Sequence, residues 1–403
     1  MKDHRLHSFC RILVEAAAAL ACIAASLPGI AAANGTVAGQ HPPVAAEPLF
    51  SAVDAGLAVA MIQNDNVMRR IGALQSGTRG LDLTGLDVGI GGYRIAGNAV
   101  DTVSRTTLGG IVDNALIARG GADWLGLFVN GHVGSGSTAA SAERIDLTAG
   151  ADYRVFDRLA LGASAGYATG GSRSVSGPAR GALDVGSWRG AMYGTYFDQG
   201  FHVDGLIGYD AADYATLRSI QSHDAPDTTP AFARAAGSGR QMSAQLKSAF
   251  DFRYGAWTFG PRVAASWVDV VVDPLEEVGV GTDALAVGSQ RARAVKSSAG
   301  ARVSLPELRT PWLVVTPHAS ADFVRDLDSR SDLVDVRLMT DSGETAMSLP
   351  VERLASSSFV WTVGAAAKLS RELSGFVNYQ SSAGVGEVAA TELSWGLRFK
   401  AAL

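Results

Sequence analysis

The most regular feature of the sequence is an alternation of apolar and polar positions that begins near Asp123 and continues almost to the C-terminus. In "RIDLTAGADYRV", residues 144–155, the odd-numbered positions are apolar and the even-numbered positions are polar or glycine. A period of two is typical of a β-strand with one face in an apolar environment and the other in a polar one. Each stretch approaches or exceeds the roughly 10 residues that a tilted membrane-spanning strand needs. The predicted strands cover 123–133, 143–155, 158–169, 183–198, 200–218, 239–254, 255–271, 290–305, 310–327, 357–370, 371–381 and 390–401.

The connections between these strands alternate in length. Short ones such as "FD", "DQ" and "YG" follow the even-numbered strands, and long polar ones such as "SHDAPDTTPAFARAAGSG" follow the odd-numbered strands. Outer-membrane barrels have this arrangement, with tight periplasmic turns and longer outside loops, whereas a soluble β-sandwich has no reason to sort its loops. The pattern predicts an all-β fold, a twelve-stranded antiparallel transmembrane β-barrel over residues 123–403.

One long helical pattern precedes the barrel, over residues 51–77. Ser51 and Asp54 have the spacing of a capping box, and Gly77 is placed to end the helix. Such a helix would be about 39 Å long, comparable to the height of a barrel with its rims, which fits a helix inside the pore. An amphipathic helix packed on a soluble core is the alternative. The glycine-rich segment 78–122 is compatible with two or three short strands or with an ordered loop.

The N-terminal residues 1–33 have the layout of a secretory signal peptide. Lys2, Arg5 and Arg11 precede a long apolar stretch that ends in small residues, which predicts cleavage after Ala33. Residues 34–50 then form a short linker or passenger remnant. The only cysteines of the chain, Cys10 and Cys22, lie in the predicted signal. We therefore expect the exported protein to contain neither a thiol nor a disulfide.

Composition excludes several classes of function. Charged residues make up only 18% of the chain, and the net charge of −5 argues against a nucleic-acid partner. The histidines expected in the exported chain are scattered without metal-ligand spacing. The string "GASAG" matches a nucleophile elbow, but Ser164 falls within a predicted strand and not at a strand–helix turn. We expect no enzymatic activity, no metal and no cofactor.

The polar side of the strands carries acidic residues that we expect to face the lumen. The predicted lumen acids are Asp146, Asp152, Asp204 and Asp210. Arg69 and Arg70 on the predicted helix have the opposite charge, so we expect the helix to dock on this wall and to narrow the pore.

The strand segment resembles the C-terminal translocator domain of the autotransporter family. The stretches that carry the resemblance include "LGLFVNGHV", "GADYRVFDRLALGASAGYA", "YGAWTFGPRVAASWVDV" and "LSWGLRF". The resemblance implies a twelve-stranded barrel in the outer membrane of a Gram-negative cell, a helix threaded through the pore, and type V secretion of an N-terminal passenger. It also implies partners, namely outer-membrane lipid, Sec export and the barrel-assembly machinery, and it favours a monomer.

The resemblance also suggests two functional segments. Family chains usually end on an aromatic residue that the assembly machinery reads, and here the alternating positions Leu393, Trp395, Leu397 and Phe399 take that place, followed by Lys400–Leu403. Some members cleave themselves in the pore helix by asparagine attack on the backbone. In this sequence Asn64, Asp65 and Asn66 would supply that chemistry, but a polar patch on a helix in a wet pore is the favoured interpretation.

The function predicted from the sequence is therefore an outer-membrane translocator barrel that displays or exports a very short N-terminal segment. A porin-like diffusion channel, a secreted soluble β-sandwich adhesin and a remnant of a longer gene that lost its passenger are the alternatives. The porin predicts sizeable conductance and no helix in the lumen, and the sandwich predicts extraction into buffer without detergent.

Overall fold

A computed structural model describes much of the chain from residue 49 onward. The described residues are Leu49, 52–75, 80–91, 125–135, 143–176, 179–220, 231–280, 284–309, 314–331, 334–339, 347–349, 357–368, 373–384 and 390–401. The predicted signal peptide 1–33 lies outside the described residues, as does the linker 34–50 apart from Leu49.

The described elements are one helix and nineteen strands. They are α1 (Ala52–Gln75), β1 (Gly80–Gly91), β2 (Leu125–Ser135), β3 (Glu143–Phe156), β4 (Leu159–Ser176), β5 (Ala179–Asp198), β6 (Phe201–Ile220), β7 (Ala231–Phe250), β8 (Phe252–Tyr254), β9 (Trp257–Val272), β10 (Leu275–Glu276), β11 (Leu285–Val287), β12 (Gln290–Ser304), β13 (Leu308–Arg309), β14 (Val314–Ser331), β15 (Val334–Leu338), β16 (Met347–Leu349), β17 (Ser357–Lys368), β18 (Leu373–Gly384) and β19 (Ala390–Ala401).

The long strands form one sheet that closes on itself. Strands β2 to β7, β9, β12, β14 and β17 to β19 pair antiparallel with their neighbours in chain order. Strand β1 pairs with both β19 and β2, which joins the last of these strands to the first. The prediction of twelve antiparallel barrel strands is confirmed, and β1 is an addition that lies between the two ends of the series.

The two faces of the wall differ as the alternation predicts. On β3 the side chains of Ile145 and Leu147 are 56% and 55% exposed on the outside, whereas those of Asp146 and Thr148 are buried inside. Large apolar side chains exposed in a continuous band are expected only where lipid replaces water. A soluble β-sandwich would bury this face.

Aromatic residues surround the end of the barrel that carries the short turns at 157–158 and 199–200. We call this the short-turn end and the opposite one the long-loop end. The exposed aromatic side chains close to the short-turn end are Tyr153, Phe156, Tyr196, Phe201, Phe250, Phe252, Tyr254 and Trp257. Such a girdle is typical of the membrane interface of an outer-membrane barrel.

The long connections contain more strand than the alternation indicated. Strand β7 begins at Ala231, within the predicted loop, and β10, β11, β15 and β16 form a separate four-stranded sheet from the connections after β9 and β14. The apolar–polar pattern detects a strand only where one face meets lipid. Beyond the membrane the backbone still pairs, but both faces can be polar, so the boundary is not visible in the sequence.

Among the described residues, no helix is both long and apolar enough to cross a membrane. The alanine-rich sequence of α1 favours a helix, and Asp54 in its first turn complements the helix dipole. Most of its described side chains, apolar and polar alike, are buried. A helix of this kind is expected only where protein surrounds it, and here the barrel wall does so.

A charged residue on the outer face should destabilise the barrel most near the middle of the membrane and least near its edges. Replacing Ile207, whose side chain is 59% exposed in the apolar band of β6, with arginine should lower the free energy of unfolding by about 2–4 kcal/mol. Ala215→Arg is the matched control, because Ala215 lies on the same face of β6 beyond the charged Asp213, where a change of about 0.5 kcal/mol is expected. Denaturant titration in phospholipid vesicles measures both, and equal effects would contradict a lipid-facing wall.

Candidate functional site: the helix in the lumen

Helix α1 runs through the lumen from the long-loop end to the short-turn end. Near its start the backbone carbonyl of Leu49 accepts a hydrogen bond of 2.8 Å from the side chain of Gln290, at the beginning of β12. At its other end the amide of Gln75 donates to Thr195 Oγ1 at 3.0 Å and to the carboxylate of Asp204. Between these ends the helix packs against β2 to β7, β9 and β12.

The first half of the helix is held by apolar packing. Its buried side chains form one cluster with the strand ends and with the four-stranded sheet at the long-loop end. The cluster includes Val53, Leu57 and Val59 of the helix, Leu183, Val185, Tyr214, Val268, Val270 and Val272 of the barrel, and Leu275, Val287, Val334 and Val336 of the four-stranded sheet or its border. Close packing of this kind excludes water from the long-loop end of the lumen.

The second half is held by a second apolar cluster, which includes Val67, Met68, Ile71 and Leu74, and by polar contacts, among them those of Arg70. Its Nε and Nη2 atoms donate to the two carboxylate oxygens of Asp152 at 2.6 and 3.0 Å, and both side chains are almost completely buried. The hydroxyl of Tyr193 donates a further hydrogen bond of 3.1 Å to Asp152. The guanidinium also lies 5.3 Å from the ring centroid of Phe128. A bidentate pair with this support fixes the helix both in position and in rotation.

A glycine makes room for this ion pair. A Cβ atom added at Gly126 would overlap both Arg70 Nη2 and the carboxylate of Asp152. Glycine is required here because the backbone of β2 approaches the pair too closely for any side chain.

A second arginine reaches from the wall to the helix. Arg189 of β5 donates to the backbone carbonyl of Ala60 at 2.9 Å, to the side-chain oxygen of Asn64, and to Ser243 Oγ at 2.7 Å. Asp210 of β6 supplies the opposite charge, with Oδ2 at 3.7 Å from Arg189 Nη1. Ser243 also donates to Asn64 at 3.1 Å. This wall arginine therefore satisfies polar groups of the helix inside a buried site.

The asparagine at position 66 has polar contacts at both its side chain and its carbonyl. Its Nδ2 donates to the carboxylate of Asp146 and to Thr148 Oγ1 at 3.1 Å, and its backbone carbonyl accepts a hydrogen bond of 2.8 Å from Asn130 Nδ2. All four side chains are buried.

The four predicted lumen acids are all buried on the inner face, but their partners differ from the prediction. Arg70 pairs with Asp152, whereas Asp146 contacts Asn66, Asp204 contacts Gln75, and Asp210 lies beside Arg189 of the wall. The remaining predicted residues also lie on α1. Arg69 is half-buried, and Asn64 and Asp65 are buried.

The predicted assembly signal lies on β19, whose bounds Ala390–Ala401 equal the predicted span. Trp395 is paired in register with Val377 and Leu393 with Tyr379. Val377 and Tyr379 are 46% and 39% exposed on the outside, so Trp395 and Leu393 are paired with outward-facing residues of β18.

Sequence reasoning missed several residues of the site. Arg189, Asn130, Tyr193 and Ser243 were not singled out, although the period of two in "SWRGAMY" assigns Arg189 to the polar side of its strand. The prediction considered only ion pairs between arginines of the helix and acids of the wall. It did not consider an arginine of the wall that donates hydrogen bonds to polar groups of the helix.

A closed wall with an apolar outer face and a helix fixed in its lumen defines an outer-membrane β-barrel with an occupied pore. The autotransporter β-domain family matches residues 123–380, and the chain belongs to this family. It is an outer-membrane translocator barrel. The described residues contain no group of His, Cys, Asp or Glu arranged to hold a metal ion.

Solved structures with a similar fold include three autotransporter domains. The translocator domain of NalP from Neisseria meningitidis is 14% identical, with 64% of this chain and 82% of that chain covered and a TM-score of 0.47. The beta domain of the Bordetella autotransporter Brka is 13% identical, with coverages of 65% and 92% and a TM-score of 0.44. The transport unit of AIDA-I from Escherichia coli is 14% identical, with coverages of 71% and 94% and a TM-score of 0.44. Comparison with curated proteins gives no match.

Proposed function

We propose that α1 is a docked plug and that the residues preceding it are presented outside the cell. The observation that carries this proposal is the direction of the helix, with Leu49 at the long-loop end and Gln75 at the short-turn end. Short turns of outer-membrane barrels are periplasmic and long loops are extracellular. The chain before α1 therefore leaves the barrel on the outside.

The plug is held by apolar packing and by hydrogen bonds. One apolar cluster closes the long-loop end, and a second apolar cluster and the hydrogen bonds of Arg70, Asn66 and Arg189 hold the helix farther along the lumen. A porin-like channel needs a continuous water-filled path, whereas the described helix side chains are mostly buried against the wall. This favours a low conductance in the resting protein.

The proposal includes the route to the membrane. Residues 1–33 direct Sec export and are removed, the barrel-assembly machinery inserts the chain, and β19 supplies the residues that the machinery reads. The inserted barrel acts as a monomer, because every long described strand of its wall already has two neighbours.

Labelling of single cysteines on intact cells tests the direction of the helix. In a background with Cys10 and Cys22 replaced by serine, we expect Pro48→Cys to react with a membrane-impermeant maleimide. The matched control Gln199→Cys, in a short turn, should react only after the outer membrane is permeabilised. Heat-modifiable migration on gels verifies that both variants are folded barrels. Labelling at position 199 with protection at position 48 would reverse the proposed orientation.

A second candidate function is self-cleavage of α1 after Asn66, which the contacts of this residue favour over Asn64. The carboxylate of Asp146 accepts a hydrogen bond from the side-chain nitrogen of Asn66 and is placed to accept its proton. The side chain of Asn130 donates a hydrogen bond to the backbone carbonyl that would be attacked. The side-chain nitrogen would bond to the backbone carbonyl carbon of Asn66, the peptide bond to Val67 would break, and the proton would pass by way of Asp146 to the departing Val67 nitrogen. The new C-terminus would be a succinimide.

Mass spectrometry of the purified barrel tests this candidate. Cleavage predicts a fragment that begins at Val67, and it predicts that Asn66→Gln and Asp146→Asn keep the chain intact. Asn64→Gln is the matched control, because Asn64 contacts Arg189 and Ser243 instead, and it should still be cleaved. An intact wild-type chain would leave α1 as a permanent plug.

A further inference from the structure

Strand β1 occupies an unusual place in the wall. It lies between the first and last of the twelve antiparallel strands, pairing antiparallel with β19 on one side and parallel with β2 on the other. Among the described strands the β1–β2 pair is the one parallel pairing. Parallel ladders are slightly less stable per residue than antiparallel ones.

The two neighbours of β1 keep one common register across it. Through their shared β1 partners, Leu127 is aligned with Ala401, Phe128 with Lys400, Val129 with Phe399, His132 with Gly396, Val133 with Trp395, Gly134 with Ser394 and Ser135 with Leu393. Each step forward along β2 is matched by one step back along β19 over the whole length. This is the relation that two directly paired antiparallel strands have.

The irregularity of this region is confined to β1. Its register shifts between Leu83 and Leu86 against β2 and between Thr84 and Asp87 against β19, whereas the β2–β3 and β18–β19 pairings contain no shift. The bulge changes the parity of β1 within the strand. As a result Leu81, Leu83, Leu86, Val88 and Ile90 all pair with odd-numbered residues of β2.

We propose that residues 80–91 are a removable thirteenth strand and that the seam between β2 and β19 is a binding site for it. When this segment leaves, β2 and β19 pair directly in the register that they already share, and the twelve remaining strands close an entirely antiparallel barrel. The faces of the wall do not change, because aligned residues of β2 and β19 keep the same parity. The glycines at positions 80, 85, 89 and 91 further weaken β1 as a wall strand.

Withdrawal of β1 from the wall would also change how the end of α1 is held. Strand β1 begins five residues after Gln75, a length of chain that spans at most about 18 Å. With β1 in the wall, the end of α1 is tethered at the short-turn end. With β1 withdrawn, this tether is released while the wall remains closed.

Disulfide cross-linking distinguishes the two states. In the full-length chain with Cys10 and Cys22 replaced by serine, Leu81→Cys with Ala401→Cys should cross-link, because these residues are paired. Leu127→Cys with Ala401→Cys should not, because two strand spacings of about 4.8 Å separate them and a disulfide requires Cα atoms within about 7 Å. Leu127→Cys with Ala151→Cys, a pair between β2 and β3, is the matched control and should cross-link in every state.

Withdrawal of β1 is then produced by Leu83→Pro with Val88→Pro, which removes two backbone donors and the strand conformation around them. The expected result is gain of the Leu127→Cys to Ala401→Cys cross-link, measured by peptide mass spectrometry, in a barrel that remains heat-modifiable. The proposal is overturned by a folded proline variant that lacks this cross-link, by a proline variant that no longer folds, or by formation of the same cross-link in the chain without prolines.

Discussion

Reversing the charge of Arg70 to glutamate is expected to raise the single-channel conductance of the barrel in planar bilayers. The substitution removes the bidentate contact with Asp152 and places two carboxylates together in a buried site. Breaking a buried ion pair costs about 3–5 kcal/mol, and the contacts that remain at this end are an apolar cluster around Met68 and Ile71 and the hydrogen bonds of Asn66 and Gln75. We expect the helix to lose its fixed position here and the lumen to admit ions.

The charge-swapped variant Arg70→Glu with Asp152→Arg serves as the rescue, because the pair is restored in reverse and conductance should fall back toward the wild-type value. Arg158→Glu is the negative control. Arg158 pairs with Asp198 at 2.7 Å but is 57% exposed, and surface pairs contribute about 0–1 kcal/mol. A folded Arg70→Glu barrel that conducts like the wild type would show that this pair does not hold the plug.

Replacing Arg189 by methionine is expected to lower the stability of the folded barrel more than any outer-face substitution of similar size. Methionine keeps most of the apolar volume but removes the donors to Ala60, Asn64 and Ser243, and it leaves the buried Asp210 without its ion-pair partner. Loss of one member of a buried pair typically costs about 3–5 kcal/mol. Denaturant titration in detergent micelles or vesicles measures the change in the free energy of unfolding.

The double variant Arg189→Met with Asp210→Asn separates charge from packing. Because the asparagine is neutral, it should recover part of the lost stability. Arg240→Met on the exposed face of β7 is the matched control and should change the free energy of unfolding by about 0.5 kcal/mol or less. A loss for Arg189→Met no greater than that of the control would contradict the role given to this arginine.

Much of the fold was predictable from local pattern. The alternation in "RIDLTAGADYRV" assigns Asp146 and Asp152 to the inside and Ile145 and Leu147 to the outside, and the structure has this arrangement. The signal is strong because a lipid-facing position must be apolar whatever its neighbours are. The bounds of β19 were predicted to the residue for the same reason.

The contacts in the lumen were less predictable. Asp146 was expected to attract an arginine, but its position along the barrel places it beside Asn66, while Arg70 is one helical turn farther along and meets Asp152. Whether a residue has an odd or an even position in its strand determines which face of the wall it lies on, but not its depth along the barrel axis. Depth depends on strand tilt, on register and on where the helix stops, none of which is local.

The sequence by itself determined that residues from Asp123 onward form a barrel wall, which side chains face lipid, and that a helix precedes the wall. Only the tertiary structure decided the partners of Arg70 and Arg189, the need for glycine at position 126, and the insertion of β1 at the seam. The physical reason is that contact with lipid constrains each residue separately. Pairing inside the lumen and between distant strands depends instead on how the closed sheet brings remote parts of the chain to the same height.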